Sequence, residues 1–517
     1  MSNTCLPCPA LTEPALRRSG VLCLVRAIII GHLTRSYETC EILLTVERSP
    51  LVASVCYHKA MSKLTSFNPS HNYQAIDEVE ISTSEDVTSK VAKAHSAKNE
   101  WRDLGVAKRI ELMRKVSETF ANNKERFAKL EAEEMGMPIK EALDDFDFGL
   151  EYLDSYLDKG EEYLKPITTL ESDTELHQVF KEPYGVAACI VPWNFPFANW
   201  VWQCGQNLIA GNTIVFKHSE ETPLCGKLIE EIVNSILPEG VFNEIYGDGS
   251  VGEILVNQDV NLICFTGSST TGVKINQSAA SRLIPTRLEL GGSAPGIIFE
   301  DTDIKSVVGT IFTARFMACG QMCDGLKRLI VHKSKFDEAI SALTGLMAEK
   351  KIGDASDDQT DFGPLVAERQ LKLLEEQVAD AISKGAKVIV GGKRPEGIEG
   401  AYYEPTLLTN ITSDMRVWRE EVFGPVLPIV SFDSEAEAVS MANDTKYGLG
   451  AYVFTAENDR YMRVAHQLES GMVSQNNLSY INTCNPFTGY KMSGGGREHA
   501  QFGFEDFTRI KVIARNK

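Results

Sequence analysis

The sequence predicts an α/β protein with a doubly wound parallel sheet, because short apolar strands alternate with helical segments from residue 185 onward. Strands are predicted over 185–191, 213–217, 242–246 and 262–265. Helices are predicted between them, ending at 211, over 223–236 and over 251–256. Strand–helix–strand units place parallel strands side by side with helices on both faces. Such a sheet is the usual platform for a dinucleotide.

The chain has 517 residues, of which 43% are apolar and 24% charged, as in a soluble globular protein with two or three domains. Acidic residues outnumber basic ones by 71 to 52, and the net charge of -19 argues against a nucleic-acid or membrane partner. Seven of the twelve cysteines are spread over 61–517, mostly in apolar runs, which indicates a reducing compartment. We therefore expect a cytoplasmic protein.

Residues 1–60 differ in composition from the rest, with five of the twelve cysteines and six Lys or Arg against four Asp or Glu. The apolar run 21–30 contains Arg26, is too short to span a bilayer and makes a poor secretory signal. We expect this segment to be disordered or a non-native extension, since Met61 resembles a normal start. A transit peptide is the alternative, and it would place the protein in the mitochondrial matrix.

From residue 84 to about 164, apolar residues recur at helical spacing and predict packing helices without chemistry. Residues 171–191 are then predicted to form two strands around the turn 182–185. The segment 247–252 matches G-x-G-x-x-G after a strand. No acidic residue lies between Asp259 and Glu289 to hold a ribose, which favours a tight turn over a pyrophosphate site.

The stretch 318–325 places Cys319 and Cys323 between a predicted helix over 304–317 and a predicted strand over 329–331. Gly320 ends the helix, so Cys323 is expected on an exposed turn backed by rigid elements. A cysteine is nucleophilic as its thiolate. From this stretch alone two alternatives stay open. One is an inert buried thiol, and the other is a zinc site, which lacks a second ligand pair at metal spacing.

Nine motifs follow one another along the chain: Pro192–Pro196, Lys217–Glu220, Phe265–Ser268, Leu288–Gly292, Gly320–Cys323, Glu420–Pro425, Ala442–Leu449, Pro486–Phe487 and Ser493–Glu498. In this order and spacing they resemble the aldehyde dehydrogenase superfamily over about 63–517. Within this superfamily, the amino-acid sequence is most similar to that of the succinate-semialdehyde dehydrogenase-like branch. Residues 1–60 match nothing in the family.

The resemblance implies the aldehyde dehydrogenase fold. Residues 61–170 and 186–290 would form the NAD-binding domain, and residues 291–490 an α/β catalytic domain. Residues 171–185 and 491–517 would form a small oligomerisation element, because an apolar last strand with an open edge needs a partner. We expect a homodimer or homotetramer that acts on a small-molecule aldehyde.

The resemblance also implies the site. Cys323 would attack the aldehyde carbon to form a thiohemiacetal, and the Asn194 amide and the Cys323 backbone N–H would stabilise its oxyanion. After hydride transfer to the nicotinamide, Glu289 would activate water and release the acid. The implied cofactor contacts are Pro192, Trp193, Lys217, Glu220, Ser268, Glu421 and Phe423. A carboxylate at Glu220 repels a 2′-phosphate, so NAD is favoured and NADP is the alternative. No metal is expected.

Two positions depart from the family pattern. Gln203 stands where relatives often carry a lysine that joins a proton relay with the glutamate matching Glu498, and a neutral amide cannot carry charge. Asp324 follows the nucleophile, and a carboxylate pointing inward there would raise the pKa of Cys323.

Phe197 and Trp202, with the neighbouring Trp200, are expected to line an aromatic substrate tunnel. The succinate-semialdehyde branch typically needs a cation for the substrate carboxylate, and Trp202 stands where some relatives carry arginine. Succinate semialdehyde and uncharged aliphatic or aromatic aldehydes are therefore both candidate substrates.

Three other classes of function fit less well. A coenzyme A-dependent acylating relative would not need Glu289. A Cys–His hydrolase would need a histidine beside Cys323, and the nearest, His332, lies nine residues on in a predicted strand. A non-catalytic binding or structural member of the fold is expected to have lost Cys323, Glu289 or Asn194, and all three are present.

Overall fold

The computed structural model describes residues 62–517, so the expectations for residues 1–60 lie outside the described residues. The helices are α1 Ser84–Asp103, α2 Val106–Ala121, α3 Lys124–Met135, α4 Ile139–Tyr163, α5 Pro196–Trp200, α6 Gln206–Ala210, α7 Pro223–Asn234, α8 Gly249–Val256, α9 Ser269–Ala280, α10 Ile304–Phe316, α11 Phe336–Ala348, α12 Glu368–Ser383, α13 Arg416–Arg419, α14 Glu435–Asn443, α15 Asn458–Ala465 and α16 Ala500–Asp506. A single turn of π-helix, Val201–Gly205, joins α5 to α6 and is called the π-turn below.

The strands are β1 Lys63–Asn68, β2 Gln74–Glu80, β3 Ile167–Glu171, β4 Glu175–Pro183, β5 Val186–Ile190, β6 Thr213–Lys217, β7 Phe242–Ile245, β8 Leu262–Thr266, β9 Thr286–Glu289, β10 Ala294–Ile298, β11 Leu326–His332, β12 Lys387–Val390, β13 Thr406–Thr409, β14 Val426–Phe432, β15 Tyr447–Gly448, β16 Gly450–Phe454, β17 Met472–Gln475, β18 Phe487–Thr488, β19 Tyr490–Lys491, β20 Arg497–Glu498 and β21 Thr508–Asn516.

The first four helices confirm the helical prediction for residues 84 to about 164, with breaks that the periodicity did not show. Helix α1 begins at a capping box, in which Thr83 accepts from the Asp86 backbone and Asp86 accepts from the Thr83 backbone. Gly105 and Gly136, at φ of 79° and 81°, separate α1 from α2 and end α3. Among residues 62–517, no helix is long and apolar enough to cross a membrane.

The first sheet has five parallel strands in the order β7–β6–β5–β8–β9. Each of the four strands predicted for this region lies within one residue of an observed one. Ile190 pairs with both Lys217 and Phe265, and Thr266 pairs with Glu289, so these strands end at one edge of the sheet. The strand order reverses between β5 and β8. The loops after these two strands therefore diverge and open a crevice at the carboxyl edge.

The second sheet has seven strands in the order β12–β13–β14–β11–β10–β16–β17, with β12 antiparallel to β13. Helix α10 ends in the 3-10 turn Met317–Gly320, where Ala318 and Cys319 have φ of 50° and 55°. Cys323 follows this turn and precedes β11, as the sequence predicted. The turn places Cys323 next to the edge of the first sheet at which β5 and β8 end.

The third sheet has three antiparallel strands in the order β21–β4–β3. The pairing of β4 with the last strand follows the predicted element, but the hairpin begins at Ile167 rather than at residue 171. Ile510 and Val512 on β21 are 74% and 63% exposed. A role of this sheet in oligomerisation stays a prediction.

Candidate active site

A cavity of ≈ 800 Å³ lies between the carboxyl edge of the first sheet and the turn that carries Cys323. It brings together most of the residues singled out from the sequence: Pro192, Trp193, Asn194, Trp202, Ser268, Glu289, Cys323, Asp324, Glu421 and Phe423. The predicted residues Lys217, Glu220 and Phe197 do not line this cavity.

The turn that carries Cys323 is held by hydrogen bonds to its backbone. Glu141 accepts from the Ala318 N–H at 2.7 Å, and the Gln321 side chain donates to the Ala318 carbonyl at 3.1 Å. Asn194 Nδ2 donates to the Gln321 carbonyl at 2.9 Å, which fixes its amide beside Cys323. A Cβ on Gly292 would collide with the Cys323 carbonyl oxygen, so only glycine permits this approach.

The two cysteines of the turn occupy different environments. Cys319 is buried and its thiol donates to the Gly363 carbonyl at 3.3 Å. Cys323 is half-buried, and its thiol lines the cavity without a hydrogen-bond partner among residues 62–517. Burial and then the Asp324 carboxylate raise the pKa of Cys323, whereas the Lys327 ammonium lowers it. The adverse effect expected of Asp324 is therefore present in the folded chain.

Lys327 is a buried residue of the site that sequence reasoning missed. Its Nζ donates to the carbonyls of Gly292 and Cys323 at 3.0 and 3.2 Å and forms an ion pair with Glu421. Glu421 also accepts from the Gly292 N–H at 3.0 Å. The available signal was the pair Lys327 and Arg328 in the first half of β11, ahead of the apolar run 329–331, where a buried charge needs a partner.

Glu289 ends β9 with its carboxylate buried, and neither of its oxygens has a hydrogen-bond partner in the described chain. Burial, followed by the charges of Glu498 and Asp506, raises the pKa of Glu289. Burial raises the pKa of Glu498 to about 8. A Cβ on Gly496 would lie 2.7 Å from Glu289 Oε1, so the segment before Glu498 packs directly on the carboxylate. A carboxyl group with a raised pKa and free lone pairs is suited to act as a base on water.

The Gln203 side chain is hydrogen-bonded to β8 of the first sheet. With its amide oxygen toward β8 it accepts from the Thr266 backbone N–H at 3.0 Å and donates to the Cys264 carbonyl at 3.3 Å. It does not line the cavity. The amide therefore stabilises the end of β8, and it offers no charged link between the cavity and Glu498.

Two residues expected at the cofactor lie outside the cavity, at the far end of the crevice. Lys217 ends β6, is buried, donates to the His218 carbonyl at 3.1 Å and lies 3.8 Å from Glu220 Oε2. Glu220 lines a smaller cavity of ≈ 320 Å³. The segment 247–252 forms a tight turn in which Asp248 caps α8 and accepts from the Ser250 N–H at 2.9 Å.

Ser268, Trp193 and Phe423 lie where a dinucleotide would cross the crevice. Ser268 caps α9 and accepts from the Thr271 N–H at 3.3 Å, and Ser268 and Thr270 line the cavity, so the N-terminus of α9 borders the crevice. The rings of Trp193 and Phe423 meet edge to face at 5.6 Å. A helix N-terminus, the half-buried acid Glu421 and an aromatic wall fit the groups of a nicotinamide dinucleotide.

The expectation that Phe197 and Trp200 line the substrate tunnel is wrong. Both side chains are fully buried in the core behind the cavity, and Phe197 stacks on Phe146 at 4.2 Å. Pro196 starts α5, and the π-turn that follows places Trp202 on the opposite face from Phe197. Only Trp202 of the three lines the cavity.

The end of the cavity where the aldehyde is expected to bind, called the aldehyde end below, contains residues that the sequence did not single out. Tyr152 lies 4.5 Å from the His499 ring, and Trp202 and Phe487 lie 5.7 and 6.1 Å from it. Phe148 completes this aromatic wall. The signal for Phe148 and Tyr152 was their spacing of four on α4, which was interpreted as packing.

Comparisons with known proteins identify the family of the chain. The family described as "Aldehyde dehydrogenase family" matches residues 57–513. A betaine aldehyde dehydrogenase of Bacillus subtilis is 38% identical over 461 residues, 86% of this chain and 92% of that protein. A mitochondrial succinate-semialdehyde dehydrogenase of Oryza sativa subsp. japonica is 36% identical over 434 residues, 83% of this chain and 82% of that protein.

Among solved structures, an NAD+ complex of an aldehyde dehydrogenase from Bacillus cereus matches with a TM-score of 0.85 and 32% identity, over 88% of this chain and 93% of that one. The fold and these comparisons therefore define an α/β dehydrogenase. The chain belongs to the aldehyde dehydrogenase family, and the family and fold predicted from the motifs are confirmed.

Proposed function

We propose that this enzyme oxidises an aldehyde to the carboxylic acid with NAD, through Cys323, Asn194 and Glu289. The observation that supports this most is their arrangement. All three line one cavity at the point where the strand order of the first sheet reverses. Three separate stretches of chain meet there, and each supplies a group that the reaction needs.

In the first half of the reaction, Cys323 Sγ attacks the aldehyde carbon, and the thiol proton leaves for solvent as the C–S bond forms. The oxygen of the resulting thiohemiacetal receives hydrogen bonds from Asn194 Nδ2 and the Cys323 backbone N–H. The nicotinamide, when bound, accepts the hydride from the thiohemiacetal carbon. Cys323 then holds the acyl group as a thioester.

In the second half, Glu289 takes a proton from a water molecule that attacks the thioester carbon. The C–S bond breaks, the acid leaves, and Cys323 regains a proton. The buried carboxylate of Glu289 supports this role, because its lone pairs are not occupied by any of residues 62–517.

The cofactor contacts are proposed from the same geometry. Lys217 and Glu220 would hold the adenosine ribose, Ser268 the pyrophosphate and Glu421 the nicotinamide ribose. Pro192, Trp193 and Phe423 would form the wall beside the nicotinamide. Glu220 carries a negative charge where a 2′-phosphate would sit, so NAD is favoured. A solved relative described as an NADP-dependent enzyme of E. coli keeps NADP as the alternative.

The cavity favours an uncharged aldehyde over succinate semialdehyde. Of the described residues that line it, seven carry carboxyl groups and one, Lys446, carries an ammonium group: the acids are Glu141, Asp144, Asp145, Glu289, Asp324, Glu420 and Glu421. None of the described lining residues is an arginine. A substrate carboxylate would meet repulsion there. The succinate-semialdehyde dehydrogenases among the relatives make this substrate the second candidate.

The proposal also covers the oligomeric state of the protein and its cellular compartment. The exposed apolar side chains of β21 support a homodimer or homotetramer built on the third sheet. The thiol-rich, acidic composition supports a cytoplasmic enzyme, with the mitochondrial matrix as the alternative.

The test is reduction of NAD or NADP by the full-length chain with propanal, benzaldehyde and succinate semialdehyde, followed by absorbance. We expect turnover with the uncharged aldehydes and NAD. Binding of NAD should be measured in parallel by calorimetry. NAD binding without reduction by any aldehyde would contradict the proposed reaction.

A further inference from the structure

The aldehyde end of the cavity carries three polar groups on its aromatic wall, namely Tyr152, His499 and Asp324. We refer to them as the polar cluster. None belongs to the nucleophile, oxyanion or base set, and the proposed reaction uses none of them. Their side chains are each more than nine-tenths buried. Such groups cost free energy unless something pairs with them.

Tyr152 contributes a hydroxyl group without a hydrogen-bond partner among residues 62–517. Its side chain is 2% exposed and lines the cavity. Burial, followed by the charges of Glu151 and Asp324, raises the pKa of Tyr152, so the hydroxyl stays protonated. It can therefore donate one hydrogen bond and accept another.

His499 contributes an N–H donor. Its Nδ1 lies 2.5 Å from the Tyr156 hydroxyl, which is fully buried and has no other partner in the described chain. We assign the Tyr156 hydroxyl as donor to Nδ1, because the opposite direction would leave its buried proton without an acceptor. This assignment places the imidazole proton on Nε2. Burial lowers the pKa of His499 to about 3, so the ring is neutral. A neutral ring with this tautomer donates from Nε2.

Asp324 contributes an acceptor that is fixed from two sides. The Tyr480 hydroxyl donates to Asp324 Oδ2 at 3.1 Å and lies 2.6 Å from the Tyr452 hydroxyl. Tyr452 in turn donates to the Asp324 backbone carbonyl at 3.0 Å. A carboxylate has about four lone pairs, so Asp324 keeps acceptor capacity toward the cavity that it lines.

From this mixture of donors and acceptors we propose that the substrate is a hydroxylated aldehyde, with hydroxyl groups on the carbons next to the aldehyde. The proposal rests on the proposed function and names its substrate class. A hydroxyl both donates, to Asp324, and accepts, from Tyr152 or His499. A hydrocarbon chain would leave the Tyr152 hydroxyl, the His499 N–H and the remaining lone pairs of Asp324 unpaired. An ammonium group, which only donates, would pair with Asp324 or the Tyr152 oxygen and leave the His499 N–H unpaired. A site built for hydroxyl groups rejects analogues that lack them.

Trp202 fits the same class of substrate. Its indole ring forms part of the wall beside Tyr152 and His499, at 6.5 and 5.7 Å between ring centroids. A flat ring can pack against the C–H face of a hydroxylated chain while the hydroxyl edges reach the polar cluster. The aromatic wall and the polar cluster thus recognise two sides of one molecule.

The test compares three-carbon aldehydes that differ in their substituents: D- and L-glyceraldehyde, propanal, 3-aminopropanal and malonate semialdehyde. We expect the highest kcat/KM with glyceraldehyde. Tyr152→Phe and Asp324→Asn should each lower the ratio of kcat/KM for glyceraldehyde to that for propanal by about 10-fold, as expected for one hydrogen bond. Tyr403→Phe is the matched control, because Tyr403 is a buried tyrosine outside the cavity.

The outcomes separate this proposal from the proposed function. A ratio that Tyr152→Phe and Asp324→Asn leave unchanged overturns the role of the polar cluster, while oxidation of propanal would still support the dehydrogenase reaction. A preference for 3-aminopropanal that depends on Asp324 alone overturns the hydroxyl assignment in favour of a cation. A preference for malonate semialdehyde also overturns it. A ratio lowered by both variants and kept by Tyr403→Phe supports it.

Discussion

The two walls of the cavity differ in whether their polar groups have hydrogen-bond or ion-pair partners. On the wall from the second sheet, Lys327 and Glu421 are paired with each other and with backbone groups. On the wall from the first sheet, both oxygens of Glu289 lack a partner among residues 62–517. The thiol of Cys323 is the exception on the second-sheet wall, because it also has no hydrogen-bond partner within that range. Paired charges fix the shape of the backbone, and unpaired groups remain available to substrate and water. We therefore expect substitutions to separate activity from stability according to the pairing of the group removed.

The largest expected effect separates the two cysteines. Cys323→Ala should lower turnover by more than about 10⁴-fold, because it removes the nucleophile, with little change in the free energy of unfolding. Cys319→Ala should keep turnover and cost about 1 kcal/mol of stability, because it removes a buried thiol. Steady-state rates and urea unfolding check both variants. Measurable oxidation by Cys323→Ala would remove this residue from the mechanism.

Glu289→Gln should lower the steady-state rate by about 10²- to 10⁴-fold, because the amide cannot take a proton from water. The first turnover should still release reduced nicotinamide, so a burst should appear in rapid mixing. The variant should be at least as stable as the parent, because a neutral amide avoids the free-energy cost of burying an ionisable carboxyl group without a partner. An unchanged steady-state rate would show that another group activates the water.

Lys327→Met tests a paired group. It leaves the Glu421 carboxylate without its buried partner, so the free energy of unfolding should fall by about 3–5 kcal/mol. The double variant Lys327→Met with Glu421→Leu should recover part of this loss, because it removes the stranded charge. Chemical denaturation of the three variants supplies the measurement. Wild-type stability in the single variant would mean that the pair contributes nothing net.

The carboxyl pair should make stability depend on pH. Burial raises the pKa of Glu498 from an ordinary 4.5 to about 8. Between these values the unfolded chain has lost the proton that the folded chain keeps. Stability is therefore full below about pH 4.5 and falls as pH rises toward 8, by up to about 1.4 kcal/mol per pH unit. Denaturation midpoints across this range should show a shallower slope in Glu498→Gln, and an equal slope would exclude this residue as the cause.

The smallest effect concerns cofactor choice. Glu220→Ser should raise kcat/KM with NADP relative to NAD by about 10-fold, because the charge that repels a 2′-phosphate is removed. Kinetics with both cofactors check this ratio. Glu221→Ser is the neighbouring control, since Glu221 instead pairs with Arg369. Equal discrimination in Glu220→Ser and the parent would mean that Glu220 does not face the ribose.

The strands of the first sheet could be predicted because Thr213–Lys217 and its neighbours are short apolar runs between turns. The rule that parallel strands end at a common edge also explains why Asn194, after β5, lies near Glu289, at the end of β9. Cys323 reaches them from the turn before β11 of the second sheet, and only the family motifs related it to the other two. Phe197 could not be placed, because an aromatic residue after Pro196 suits the core as well as a tunnel. The π-turn that decides between them leaves no sequence pattern.

Residues whose role depends on a partner far away along the chain could not be predicted either. Lys327 is informative only when Glu421 is seen beside it, 94 residues away along the chain. His499 gains its role from Tyr156, 343 residues away. Periodicity reports which face of an element is buried, and it does not report which polar groups meet there.

The segment 493–499 packs on Glu289 and leads directly into α16 and β21, near the end of the chain. A ribosome therefore makes Cys323, Glu289 and the strands of the first sheet well before it makes the segment that covers Glu289. A nascent chain that stops before residue 493 would hold Cys323 and Glu289 without Glu498. In such a chain the Glu289 carboxylate would lose both the burial and the neighbouring carboxyl group that raise its pKa, so the base proposed for the second half of the reaction acquires its raised pKa only after residues 493–499 have been synthesised and packed.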